Sequence, residues 1–97
     1  MNKYSLERQP SDLLGQTADH HRTLRKQKGL SQAELARRSG ISLGSLKRFE
    51  QTGQISFESL LRLANTLDRL TDFERLLKPG PDPKKLEALF SDQMHKS

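Results

Sequence analysis

Residues 31–52 constrain this chain more than any other stretch, because they carry the start and stop signals of two short helices with almost nothing between them. Ser31 is placed as an N-cap, and Glu34, three residues on, can reach back to the Ser31 amide as a capping box. Gly40 stands where a left-handed C-cap is needed, a conformation that costs little only without a Cβ. Ser42 then caps a second helix at once. Helical spacing turns Leu35 and Ala36 of the first helix and Leu46 and Phe49 of the second inward, with Ile41 plugging the turn. Ala36 has to be small because the second helix crosses close above it.

Composition agrees with helices throughout. There is no Val or Trp, and Ile occurs only at 41 and 55; strands prefer β-branched and aromatic residues, so an all-α fold is expected. Ninety-seven residues suit a single small domain. The absence of Cys removes disulfides and thiolate metal sites and fits a reducing compartment. No apolar run approaches the ~20 residues of a membrane span, and a cytoplasmic location is expected. The net charge of +5 is unevenly placed. Between His20 and Gln51, Arg22, Arg25, Lys26, Lys28, Arg37, Arg38, Lys47 and Arg48 face only Glu34 and Glu50, eight against two. The whole basic excess sits there, as a footprint for a polyanion would.

Along the chain, residues 1–10 read as a flexible polar arm, 11–78 as the folded domain, and 79–97 as linker and tail. A first helix is expected from Ser11 or Asp12 to Lys28, with Leu13, Leu14, Ala18, His21 and Leu24 inward and a late start or a break at Gly15. Gly29 ends it and Leu30 anchors the next turn. Thr52-Gly53-Gln54 is a turn with Ile55 pointing back to the core, and Ser56 caps a helix over 57–68 with Phe57, Leu60, Leu61, Ala64 and Leu67 inward. Thr71 with Glu74 repeats the capping-box pattern and predicts a fifth helix over 72–78. Pro79 to Pro83 forms a stiff linker, after which Asp82 as N-cap and Pro83 at the first position predict a short tail helix over 83–91.

Gln32, Leu35-Ala36, Gly40, Ile41, Leu46, Phe49 and Glu50, at these spacings, resemble the DNA-binding helix-turn-helix of the lambda-repressor/Cro-like (XRE) family. The resemblance implies a compact five-helix domain whose helix from 43 to 51 enters the major groove. It implies base reading from Ser42, Leu43, Gly44, Ser45, Lys47 and Arg48, with Arg48 the best candidate for guanine, and phosphate contacts from Gln32, Arg38, Thr52 and Gln54. Leu43 and Gly44 depart from the polar side chains common there: Leu43 can only pack on a thymine methyl, and Gly44 allows close backbone approach. The resemblance also pairs Arg25 with Glu50 as a structural ion pair. Leu70, Phe73, Leu76 and Leu77, and Leu86, Leu89 and Phe90 in the tail, exceed the needs of a four-helix core and suit a homodimer or partner interface.

The core with this appendage is similar to the antitoxin of HipBA-type toxin–antitoxin modules, which implies a HipA-like kinase toxin as partner and autoregulation of an operon. A solitary XRE regulator and a protein–protein adaptor that reads no DNA are the alternatives. Other chemistry has little support. His20 and His21 are adjacent and so do not share a helix face, every prominent serine has a capping role, and there is no glycine-rich phosphate loop. No enzyme activity, metal or cofactor is expected.

Overall fold

The computed structural model describes residues 8–95, and among these the protein is helical with no strand. Among the described residues there are five α-helices, α1 (Pro10–Gln27), α2 (Gln32–Ser39), α3 (Leu43–Thr52), α4 (Phe57–Thr66) and α5 (Pro83–His95); short turns join the first four, and residues 67–82, with a 3₁₀ helix at Leu70–Phe73, lead to the last. Most of the expected N-terminal arm lies outside the described residues.

The helix boundaries follow from the capping chemistry. Ser31, Ser42 and Ser56 each accept from the amide three residues on, at 3.0, 3.1 and 3.1 Å. Pro10 occupies the first position of α1, and the Asp12 carboxylate accepts from the Gln9 amide at 3.0 Å. That firm start carries the helix through Gly15 without the expected break, since a glycine inside a helix costs only about 1 kcal/mol. Gly29, Gly40 and Gly53 end α1, α2 and α3 with φ of +71°, +76° and +81°. α4 ends sooner than expected, at Thr66, because Asp68 takes the same left-handed position (φ 61°). Arg69 N then donates to Ala64 O at 2.8 Å, closing the turn.

Ala18, Leu35, Ala36, Ile41, Leu46, Phe49, Leu63 and Leu67 form the buried core, with Leu24, Leu30, Ile55 and Leu60 packed against it. α1 lies against α3, and α2 against both α3 and α4. Three packing expectations are corrected. Leu13 and Leu14 are exposed, because the first turns of α1 overhang the core and it is the Leu14 backbone that meets α3. On α4 the buried positions are Leu63 and Ala64, with Leu67 just past its end, while Phe57 is 53% exposed and packs edge-on against Phe73 at 6.1 Å. The helix expected over 72–78 is replaced by the 3₁₀ turn at Leu70–Phe73 and further turns. Arg69 clips the turn to Asp72 at 3.0 Å, and Leu77, at φ 55°, is 96% exposed. So short a segment ahead of Pro79 has no core face to bury, and an unsupported turn of α-helix does not nucleate.

The tail helix starts as predicted, with Lys84 N donating to Asp82 Oδ1 at 3.0 Å, but continues to His95. Its residues from Pro83 to Ser91 are exposed.

Candidate nucleic-acid interface

α3 has two sharply different faces. Leu46, Phe49 and Glu50 are buried, whereas Ser42, Leu43, Gly44, Ser45, Lys47 and Arg48 are all exposed. The structure therefore brings the six base-reading candidates onto one solvent-facing surface at and after the helix N-terminus. Ser42 Oγ donates to Ser45 Oγ at 2.8 Å, which fixes both hydroxyls next to each other. A Cβ on Gly44 would meet nothing within 4 Å, so the backbone there is fully open to a close-approaching surface.

The end of α3 joins Arg48 to two more candidates, Thr52 and Gln54. Arg48 Nη2 donates to Gln54 Oε1 at 2.5 Å, Thr52 Oγ1 donates to Arg48 O at 2.7 Å, and Gln54 N donates to Thr52 Oγ1 at 3.1 Å. Arg48 thus folds towards Gln54, and its remaining N–H groups face solvent. Arg38 is exposed and shares the Glu34 carboxylate with Arg37, at 3.0 and 3.1 Å. Exposed pairs of this kind are weak enough to be exchanged for another anion.

Beneath this surface lies a polar cluster centred on Glu50, which is only 3% exposed. Arg25 grips its carboxylate in two places, Nε to Oε2 and Nη2 to Oε1, each at 2.9 Å. This planar, two-pronged geometry is the strong form of an arginine–carboxylate pair. Arg25 also donates to Leu30 O at 2.9 Å, so one side chain ties α1, the α1–α2 turn and α3 together. His21 Nδ1 donates to Glu50 Oε2 at 2.8 Å, and Arg22 donates to the Glu50 backbone carbonyl.

Gln32 sits at the first position of α2, as expected of a phosphate ligand, but its Nε2 donates to Glu50 Oε1 at 3.0 Å. One amide hydrogen is thereby committed inward, leaving the other for solvent or phosphate. His21, Arg22 and Gln32 were not legible as partners of Glu50. The only signal was that a buried carboxylate needs more than one donor.

Burial by itself pushes the Glu50 carboxyl up, but the bonds from Arg25 and Gln32, the Arg25 charge and the bond from His21 outweigh it and hold it below the ordinary value. His21 moves down from 6.5 because burial penalises its charged form more than Glu50 favours it, with Arg25 and Arg22 adding repulsion. Glu50 is thus an anion and His21 mainly neutral near pH 7.

Among the described residues, no cluster of three or more His, Cys, Asp or Glu could hold a metal ion, and no helix is long and apolar enough to cross a membrane. A sequence model of the family described as helix-turn-helix matches residues 22–73, more than half of the chain. No curated protein and no solved structure matches it significantly.

Proposed function

The chain belongs to the helix-turn-helix family, whose domain makes it a DNA-binding regulator, and from that premise we propose that it is a sequence-specific repressor that acts by occupying an operator. The observation that carries this is the two-faced α3: a buried side locked to α1 through Glu50, and an exposed side bearing Ser42, Ser45, Lys47 and Arg48. A rigidly held helix of this kind fits the major groove, where each base pair presents a distinct pattern of donors and acceptors. Arg48 is the candidate for a two-pronged contact to guanine, Lys47 for a phosphate. Arg38, Thr52, Gln54 and the free hydrogen of Gln32 supply further backbone contacts.

Half-sites one helical turn apart call for a two-fold dimer, and the exposed Leu70, Leu76 and Leu77 next to Phe73 suit that contact. The finer reading is an autoregulating antitoxin whose exposed Leu86, Leu89 and Phe90 on α5 engage a HipA-like kinase toxin. The exposed Leu43 beside bare Gly44 favours a second reading, an adaptor that keeps the fold and binds protein with this face.

Fluorescence anisotropy separates the readings, with duplex from upstream of the protein's own gene against a scrambled duplex at near-physiological salt. A repressor prefers its own upstream DNA by roughly a thousandfold or more, and the Lys47→Ala/Arg48→Ala variant loses that preference. Affinity for DNA falls on the order of tenfold or more for a threefold rise in salt. Equal, weak binding to both duplexes would leave a basic surface without a reader and favour the adaptor. Co-purification with the product of a neighbouring kinase-like gene, lost on Leu89→Asp/Phe90→Asp, tests the antitoxin reading.

A further inference from the structure

Arg25, Arg37, Arg38, Arg62 and Arg69 each pair with a carboxylate, whereas Arg48 bonds to a neutral amide. A carboxylate neutralises a guanidinium and occupies the N–H groups that an incoming acceptor needs. The carbonyl oxygen of Gln54 instead accepts one bond, at 2.5 Å, and leaves the charge on Arg48 intact. An arginine carries five N–H donors, so a single bond leaves a complete two-pronged edge of the guanidinium free.

Gln54 is itself anchored. Gly53, buried and at φ 81°, reverses the chain at the end of α3, and its N–H donates to Phe49 O at 2.7 Å. Gln54 N then donates to Thr52 Oγ1, whose own hydrogen goes to Arg48 O. These bonds close a ring: the Arg48 backbone holds Gln54 through Thr52, and the Gln54 side chain returns to the Arg48 guanidinium. An arginine without such a partner samples many rotamers, and ordering it at the moment of contact costs affinity. Arg48 and Gln54 also line an open hollow of about 350 Å³ between α3 and the start of α4, which an untethered side chain is free to enter.

We propose that Gln54 is a positioning residue for Arg48: its carbonyl oxygen sets the guanidinium in the orientation that meets one base pair before DNA arrives. The Gln54 amide hydrogens remain available to a phosphate, so the two roles coexist on one side chain. The proposal rests on the reading of α3 as entering the major groove with Arg48 on a base edge. It adds that selectivity at that base pair depends on a residue that touches no base.

The test measures anisotropy for the full-length wild type, Gln54→Met, Arg48→Ala and the double variant. The probes are the duplex from upstream of the protein's own gene and a set in which each base pair is replaced in turn. Methionine keeps the length of the side chain and removes the carbonyl acceptor and the N–H donors. Arg48→Ala identifies the base pair that Arg48 reads as the one where preference is lost. At that base pair Gln54→Met is expected to lower the preference by about three- to tenfold, the worth of one hydrogen bond, and to leave the other positions unchanged. In the Arg48→Ala background the same change should alter the preference there by less than about twofold. No loss, or a loss spread evenly over every duplex as a phosphate ligand would give, overturns the proposal. So does an equal loss of preference in both backgrounds. If Arg48→Ala itself removes no preference, the reading of Arg48 as a base contact fails, and the proposal falls with it.

Discussion

Gly53 should be the least replaceable glycine in the protein, for a reason the other two left-handed glycines do not share. All three end helices at positive φ, so an alanine at any of them adopts a left-handed conformation that costs an L-residue about 1 kcal/mol. At Gly29 a Cβ would meet nothing within 4 Å, and at Gly40 only the flexible tip of Arg62, at 3.5 Å. At Gly53 the added carbon would lie 2.7 Å from the carbonyl carbon, the oxygen and the Cβ of Leu14. Backbone atoms cannot rotate aside, so α1 itself has to move away from α3. Overpacking of this kind adds about 1–3 kcal/mol, for a total of about 2–4 kcal/mol against ~1 kcal/mol at the two controls. The stiffening of the unfolded chain by alanine is common to all three variants and cancels in the comparison. Urea unfolding followed by far-UV circular dichroism reads the difference. With a slope of about 1–1.5 kcal/mol per molar, Gly53→Ala should unfold about 0.7–3 M earlier than Gly29→Ala or Gly40→Ala. Three midpoints that coincide, with unchanged slopes, would refute the close approach of α1 to the end of α3.

Glu50→Gln leaves Arg25 buried without its counter-charge and should cost about 3 kcal/mol or more in urea unfolding, whereas Glu34→Gln, among exposed arginines, should stay within ~0.5 kcal/mol. Folded His21 holds a proton less tightly than unfolded His21, so the unfolded state binds more protons just below pH 6.5. Stability should therefore be full above about pH 7 and decline as pH falls from 6.5 towards the folded value; a melting temperature that is flat across this window, or a decline equally present in His21→Phe, would contradict it. Asp68→Gly removes the left-handed strain at the end of α4 at the expense only of a weak, exposed contact with Lys28 at 4.0 Å, and should raise thermal stability by about 0.5 kcal/mol. Unchanged or lower melting would show that Asp68 is not strained there.

What could be read from the chain tracks how local the deciding physics is. Ser31, Gly40, Ser42 and Ser56 act on backbone groups within four residues, so the ends of α2 and the starts of α3 and α4 were legible from their types and spacing. The register of α4 was less so. Leu60, Leu61, Leu63 and Ala64 are nearly continuous, and periodicity put Phe57 inward and left out Leu63; in the structure Leu63 is the core residue and Phe57 packs on Phe73 instead. The capping pattern at Thr71 and Glu74 was misleading because a cap satisfies a helix end but does not supply a face to bury. Which positions of α3 are exposed followed from helical spacing, but the engagements of Gln32 with Glu50 and Arg48 with Gln54 depend on three-dimensional neighbours.

Gly44 lies within α3, on its exposed face, and its missing side chain would run into nothing. Most positions in a folded protein trade one requirement against another; this one is unencumbered. Replacing it by a helix-favouring residue should stabilise α3 by up to about 1 kcal/mol while placing new chemistry on the exposed face of the helix. A lineage, or an engineer, can therefore change the chemistry of this face through a single codon without first finding compensating changes elsewhere.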